Sequence, residues 1–154
     1  MKPAIILKQA SSEALDEVME IENTCFGADA FSRRQIAYLI TCAKGIFFIA
    51  EYNGMTAGYL SFIISRRHHT GRIYSVAVAP GHRGLGLADT LMDKTIAYAK
   101  EQNLRAVFLE VRTDNTAAIR LYEKKGFITR SVKQHYYHDG APAYKMALFL
   151  QTLP

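Results

Sequence analysis

The sequence predicts a mixed α/β fold in which one sheet carries helices on both faces. Apolar segments of strand length recur along the whole chain, amphipathic segments of helical period lie between them, and the connections are short. Of the 154 residues, 49% are hydrophobic and 21% are charged, which is an ordinary globular composition. We therefore expect residues 1–154 to form a single domain with one sizeable core.

The N-terminal part of the chain is predicted to hold three elements. These are a strand at residues 4–9, a helix that begins after Ser11-Ser12 and precedes a loop at residues 27–31, and a helix from residue 32 to about Cys42. Serine at the start of the first helix is a favoured N-cap. Ser32 and Gln35 have the spacing of a capping box, which indicates where the second helix begins.

Three strands are predicted next, at residues 46–52, 55–65 and 72–78. Asn53-Gly54 is a strong hairpin signal between the first two of them. Pro80 marks the end of the third, because proline lacks the N–H that a strand ladder needs.

The remaining elements are predicted as helix, strand, helix and two strands. They span residues 86 to about 103, 106–111, 115–125, 127–136 and 143–149. Gly126 stands in the C′ position that often follows a helix. The complete prediction has seven strands and four helices.

Charge and cysteine content bound the function only loosely. A net charge of +5 and a pI near 9.2 favour a polyanionic partner, but the basic residues are scattered and a solvated basic surface fits equally well. Cys25 and Cys42 do not make a disulfide framework, and we interpret both as small buried hydrophobes. No apolar run approaches a membrane span or a signal peptide, so we expect a cytoplasmic protein.

The run Arg83-Gly84-Leu85-Gly86-Leu87-Ala88 links a predicted strand to a predicted helix. A glycine-containing turn at a helix start directs unpaired N–H groups and the positive end of the helix dipole to one place, which suits a phosphate or pyrophosphate. The P-loop pattern is absent, and Asp89 stands where a dinucleotide fingerprint has its third glycine. An ordinary glycine-rich connection remains an alternative for this run taken alone.

Four motifs in register carry a family resemblance. They are Arg83-x-x-Gly86-x-Ala88, Leu109-Glu110-Val111-Arg112, Asn115-x-x-Ala118 and Leu121-Tyr122-Glu123-x-x-Gly126-Phe127. Together they resemble the GNAT acetyltransferases and, within them, the ribosomal-protein-alanine and other protein N-terminal acetyltransferases. The tail Tyr136-Tyr137-His138-Asp139-Gly140 adds to the match. The resemblance implies a mostly antiparallel, splayed seven-stranded sheet flanked by four helices.

The resemblance also implies acetyl-CoA as co-substrate. The glycine turn would hold its pyrophosphate, the backbone of the preceding strand its pantetheine arm and acetyl carbonyl, Asn115 the pantetheine amides and Tyr122 the sulfur. The cofactor-binding residues would be Val76, Ala77, Val78, Arg83, Gly84, Leu85, Gly86, Leu87, Ala88, Asn115 and Tyr122.

Glu110 and Tyr122 are the predicted catalytic residues. Glu110 interrupts an apolar strand and would act as general base, directly or through a water; the alternative is a carboxylate paired with Arg112 on the same strand face. Tyr122 would stabilise the departing thiolate; the alternative is a core aromatic residue. No carboxylate lies between Arg72 and Val78, where some GNAT enzymes place their base.

Phe31, Tyr136 and Tyr137 are interpreted as walls of a peptide entry groove. His135 and His138 lack companions at a metal-binding spacing, so no metal is expected. The chain has no tryptophan, although related chains often carry one in the loop between the first two helices, which leaves peptide specificity open.

The predicted function is acetyl-CoA-dependent acetylation of a protein N-terminus, such as that of a ribosomal protein, by direct attack in a ternary complex. Acetylation of a small amine or a lysine is one alternative, and a non-catalytic acyl-CoA-binding module is another. We expect no specific nucleic-acid partner, no membrane partner, and a monomer or weak homodimer.

Overall fold

The computed structural model describes residues 5–41 and 43–151; the predicted strand start at Ala4 and the interpretation of Cys42 lie outside that part. Among these residues, seven strands form one sheet in the order β1-β2-β3-β4-β5-β7-β6, antiparallel except for β4 and β5. The strands are β1 Ile5–Gln9, β2 Gly45–Tyr52, β3 Met55–Ser65, β4 Thr70–Val78, β5 Ala106–Arg112, β6 Ile128–Lys133 and β7 Ala143–Phe149. The helices are α1 Leu15–Phe26, α2 Arg33–Thr41, α3 Leu87–Glu101 and α4 Thr116–Lys124. The predicted fold class is confirmed.

Helices cover both faces of this sheet, as the alternation of apolar residues requires. Phe47 and Ile49 of β2 face one core with α1 and α2, whereas Phe48 and Ala50 face the opposite core with α3 and α4. The hairpin between β2 and β3 forms at Asn53-Gly54, where both residues have positive φ angles. This geometry matches the right-handed twist of the flanking strands.

The two helix starts predicted in the N-terminal part had different outcomes. The capping box is confirmed: Gln35 N donates to Ser32 Oγ at 3.2 Å, and Ser32 N donates to Gln35 Oε1 at 2.8 Å. The Ser11 cap is wrong, because its side chain makes no capping bond and a 3₁₀ turn precedes α1. Helix α1 ends at Phe26, directly before the predicted loop that begins at Gly27.

The sheet splays where β4 and β5 separate. These parallel strands pair only from Thr70 to Arg72, opposite residues 106–108. Beyond that point β4 stays with β3, and β5 stays with β7. Because a strand directs its backbone groups alternately to its two neighbours, the rest of β4 presents N–H and C=O groups toward the gap.

Strand β6 is shorter than predicted and ends at Lys133. The following residues turn instead, since Tyr136 N and Tyr137 N both donate to Ala141 O, at 3.2 and 3.1 Å. The two tyrosines therefore lie on the loop between β6 and β7, at the open end of the gap. No helix among residues 5–41 and 43–151 is long and apolar enough to cross a membrane.

Candidate active site

Two adjoining cavities follow the gap between β4 and β5. One of about 520 Å³ lies toward the loops of residues 27–31 and 134–142, and one of about 480 Å³ lies toward the start of α3. We call them the acceptor cavity and the cofactor cavity. Five residues line both: Cys25, Phe26, Val76, Asn115 and Tyr122. The two cavities therefore form one channel with its junction between β4 and α4.

The glycine turn forms one end of the cofactor cavity. Gly84 and Gly86 have φ angles of +81° and +85°, and a Cβ on either would meet no protein atom within 4 Å. The turn thus requires glycine for its left-handed backbone, and the space beside it is open. The first intrahelical bond of α3 runs from Thr90 N to Gly86 O, which leaves the preceding N–H groups without intrahelical acceptors. These features fit an anionic diphosphate.

Arg83 lies across the cofactor cavity from α4. Its Nε donates to Val78 O at 3.3 Å, and its Nη2 lies 3.4 Å from Cys25 Sγ. The guanidinium therefore joins the end of β4 to α1 while still lining the cavity. The interpretation of Cys25 as a buried hydrophobe is wrong, because this thiol is half-buried and lines both cavities.

Ten of the eleven residues predicted to bind the cofactor line the cofactor cavity. The exception is Leu85, whose side chain is 41% exposed. Asn115 is not inside α4 but caps it: its Oδ1 accepts from Ala118 N at 3.3 Å. The cap occupies the side-chain oxygen and leaves the amide NH₂ as a donor at the channel junction.

Asp89 lies in the first turn of α3, where its charge would oppose that of a diphosphate. Lys125 Nζ contacts Asp89 at 2.5 Å and Asp93 at 2.8 Å, and Lys124 lies 3.3 Å from Asp89. Hydrogen bonds from Lys125 and then Lys124 lower the pKa of Asp89. The ionised carboxylate thus has its charge balanced by the two lysines. These ion pairs also connect α3 to the end of α4 across the cavity.

Glu110 lies where β4 and β5 separate, and its side chain is only 7% exposed. Arg72 donates to Oε2 from Nε at 3.1 Å and from Nη2 at 2.8 Å. Lys133 donates to Oε1 at 3.1 Å. Pairing of Glu110 with Arg112, the alternative raised by the sequence, is therefore wrong; the carboxylate lines the acceptor cavity between two other cations.

Arg112 instead connects the two loops that border the acceptor cavity. It contacts Asp139 from Nη2 at 2.8 Å and Asp114 from Nε at 3.2 Å, and its Nη1 lies 3.9 Å from Asp29. The hydrogen bond from Arg112 lowers the pKa of Asp139 to about 2, with help from the N–H of Ala141. The loop of residues 27–31 and the loop of residues 134–142 are thus held together at the groove.

The three predicted groove residues all line the acceptor cavity. Phe31 comes from the α1–α2 connection, and the rings of Tyr136 and Tyr137 meet edge to face with centroids 5.0 Å apart. Burial raises the pKa of Tyr137 to about 12, and Tyr136 adds to the effect. The phenol of Tyr137 is therefore a neutral hydrogen-bonding group at physiological pH.

Tyr122 lies at the channel junction and is buried, with its ring against that of Phe127 at 6.0 Å. Burial raises its pKa above the ordinary value for tyrosine, and Tyr137 acts in the same direction. The hydroxyl therefore stays protonated and serves as a hydrogen-bond donor rather than a strong acid.

A buried carboxylate that the sequence analysis did not single out lies beneath the acceptor cavity. Glu22 is 1% exposed; its Oε1 accepts hydrogen bonds from Tyr59 and Ser75, and its Oε2 accepts from Phe31 N at 3.0 Å. Burial and the neighbouring Glu22 raise the pKa of Tyr59. A carboxylate on the apolar stripe of α1, four residues after Val18, was the sequence signal for this site.

Replacement of Glu22 by alanine is expected to lower the free energy of unfolding by about 2–4 kcal/mol, because three buried donors lose their acceptor. Urea denaturation measures this change. Glu20→Ala, on the exposed side of the same helix, is the matched control and is expected to change it by less than about 0.5 kcal/mol. Equal denaturation midpoints for the two variants would contradict the role of Glu22.

In the part of the chain that the structure describes, no group of three or more His, Cys, Asp or Glu residues could hold a metal ion. Glu110 lines the acceptor cavity, and Tyr122 lies at the junction of the two cavities.

Known proteins are similar to this chain in both sequence and fold. Residues 15–127 match the model of the Acetyltransferase (GNAT) family. The chain is 38% identical to an N-alpha-acetyltransferase of Sulfurisphaera tokodaii over 68% of this chain and 69% of the relative. It is 33% identical to an uncharacterized N-acetyltransferase of Methanocaldococcus jannaschii, over 92% of this chain and 90% of the relative. The ribosomal-protein-S18-alanine N-acetyltransferase of Escherichia coli superposes with a TM-score of 0.88 at 25% identity, covering 98% and 97% of the two chains.

Proposed function

This chain belongs to the GNAT acetyltransferase family, and from that premise we propose that it transfers the acetyl group of acetyl-CoA to the N-terminal α-amine of a protein. One observation carries the proposal. The cofactor cavity and the acceptor cavity meet at Val76, Asn115 and Tyr122, so that two substrates entering from opposite ends would meet there. Such an arrangement supports direct transfer in a ternary complex, without an acyl-enzyme.

The cofactor would lie with its diphosphate on the glycine turn. The N–H groups before Thr90 and the guanidinium of Arg83 would bind the phosphates, and Leu85 would contribute only through its backbone. Beyond Arg72, β4 has no strand partner on its β5 side, although Val78 O accepts from Arg83 Nε. The backbone of residues 76–78 would bind the pantetheine arm there, and its N–H groups would donate to the oxyanion. When bound, acetyl-CoA supplies the thioester that the amine attacks.

Glu110 would receive the proton that the attacking amine loses, directly or through a water. An α-amine has a reference pKa near 8, so freeing it at pH 7 costs only about 1.4 kcal/mol. A lysine side chain near 10.4 costs about 4.6 kcal/mol by the same arithmetic. Less therefore has to be supplied by the base when the acceptor is an α-amine, which favours the α-amine as acceptor.

Tyr122 would donate a hydrogen bond to the sulfur as the C–S bond breaks. Its raised pKa makes full transfer of the phenolic proton to a thiolate unfavourable. Tyr122 would therefore stabilise the departing thiolate by its hydrogen bond, and the thiolate would then take a proton from water. The expectation of a cytoplasmic monomer or weak homodimer belongs to the same proposal.

Incubation with acetyl-CoA and three acceptor sets tests the function. The sets are peptides with free N-termini of varied first residues, N-terminally blocked peptides with one internal lysine, and polyamines. We expect acetylation of free N-termini alone. Acetylation of lysine or polyamines without turnover of free N-termini would support the small-amine or lysine alternative, and acetyl-CoA binding without any turnover would support a non-catalytic module. Mass spectrometry of cellular N-termini with and without the chain would then identify the acceptor.

A further inference from the structure

Lys133, the last residue of β6, reaches from an edge strand to the carboxylate of the acceptor cavity. Its Nζ lies 3.1 Å from Glu110 Oε1 and 5.5 Å from the ring centroid of Tyr136. Its side chain is 40% exposed, whereas that of Glu110 is 7% exposed. A primary ammonium from the chain itself therefore lies on a carboxylate oxygen of the acceptor cavity, beside an aromatic wall of the groove.

The two oxygens of Glu110 are held in different ways. Arg72 binds Oε2 through two nitrogens, also donates to the Tyr136 hydroxyl at 3.3 Å, and stacks over the ring of Tyr74 at 4.7 Å. Arg72, whose side chain is 38% exposed, thus holds Oε2 through two nitrogens and has two further contacts of its own. Lys133 holds Oε1 through one flexible ammonium, so this is the contact that can be exchanged.

An incoming α-ammonium has the same charge and the same N–H donors as the ammonium of Lys133. We propose that Lys133 is a built-in competitor of the acceptor: it occupies the ammonium position on Glu110 in the free protein, and acceptor binding replaces one primary ammonium by another. This inference rests on the proposed function and adds a residue that sets acceptor affinity. After exchange, Arg72 remains on Oε2 and keeps the carboxylate in place.

A competing role and a supporting role of Lys133 predict opposite effects of its removal on acceptor binding. If Lys133 helped to hold Glu110 throughout turnover, its removal would weaken acceptor binding or slow the reaction. A competitor that is removed leaves Oε1 available, so the acceptor binds more tightly. The sign of the change in acceptor affinity therefore distinguishes the two roles.

The experiment uses Lys133→Met, which keeps the aliphatic stem and removes the charge. Lys145→Met is the matched control, because Lys145 lies opposite Glu110 in the strand register but stacks over Phe108 at 5.1 Å instead. Alanine amide, a minimal α-ammonium, is titrated by NMR into each protein saturated with CoA. We expect its Kd to fall roughly three- to tenfold in Lys133→Met and to change less than twofold in Lys145→Met.

An unchanged or raised Kd in Lys133→Met would overturn the inference. If that variant does not fold, as judged by thermal melting, Lys133→Gln gives the same comparison. For active protein, the KM of an acceptor peptide with a free N-terminus should fall by the same factor, while the KM of acetyl-CoA stays constant. The binding titration needs no turnover, so absence of peptide acetylation would reject the proposed function while leaving the alanine amide result to decide this inference.

Discussion

Replacement of Tyr122 by phenylalanine is expected to lower kcat about 100-fold while the affinity for acetyl-CoA changes little. The ring of Tyr122 packs against Phe127, and phenylalanine keeps that packing. Only the hydroxyl at the junction of the two cavities is lost. The loss therefore falls on the departing thiolate and not on the binding of either substrate.

The pH dependence makes this prediction sharper. Burial raises the pKa of Tyr122, so its hydroxyl remains protonated from pH 6 to pH 10 and the deficit of Tyr122→Phe should be constant over that range. Steady-state kinetics at saturating substrates, with calorimetry of acetyl-CoA binding, measure both quantities. Tyr98→Phe is the control, because Tyr98 packs against Phe48 and Phe62 away from the channel. If the kcat of Tyr122→Phe equalled that of the unsubstituted protein, the role assigned to the Tyr122 hydroxyl would be wrong.

Replacement of Glu110 by glutamine is expected to lower kcat/KM for a peptide about 100-fold at pH 7. An amide cannot accept the proton of the amine, although its oxygen can still accept from Arg72. Its NH₂ group also cannot pair with the ammonium of Lys133. Binding of acetyl-CoA should persist, since Glu110 lines the acceptor cavity and not the cofactor cavity.

Raising the pH should partly rescue this variant. At pH 7 about one α-amine in ten is neutral, whereas at pH 9 most are, so the need for a base declines. We expect the deficit of Glu110→Gln to shrink by up to about tenfold between pH 7 and pH 9, unlike that of Tyr122→Phe. Steady-state kinetics with one peptide from pH 7 to pH 9 measure this deficit. Glu123→Gln, on the exposed face of α4, is the control. A deficit that grows with pH would contradict a base role.

Local sequence signals predicted most of the strands and helices, and they placed a glycine turn between β4 and α3. The Asn53-Gly54 hairpin, the Ser32–Gln35 capping box and the turn at Gly84 and Gly86 each depend on a few adjacent residues. Their conformations follow from backbone sterics and short-range hydrogen bonds, which the sequence states directly. The alternation that put helices on both faces is equally local.

Two local predictions were wrong. The Ser11 side chain makes no capping bond, and α1 begins only after a 3₁₀ turn. Strand β6 stopped early because Ala141 O accepts the N–H groups of Tyr136 and Tyr137. Ala141 lies four and five residues beyond these tyrosines, so a local turn takes the place of the predicted end of the strand.

By itself, the sequence determined the order of strands and helices, the glycine turn and the presence of Glu110 and Tyr122 in a recognisable pattern. Only the tertiary structure decided which charges meet. Arg72 and Lys133 lie 38 and 23 residues from Glu110, and Glu22 lies 37 residues from Tyr59. These partners come together because the sheet and α1 bring β4 and β6 to β5 and α1 to β3, and no local pattern specifies which side chains meet across such separations in the chain.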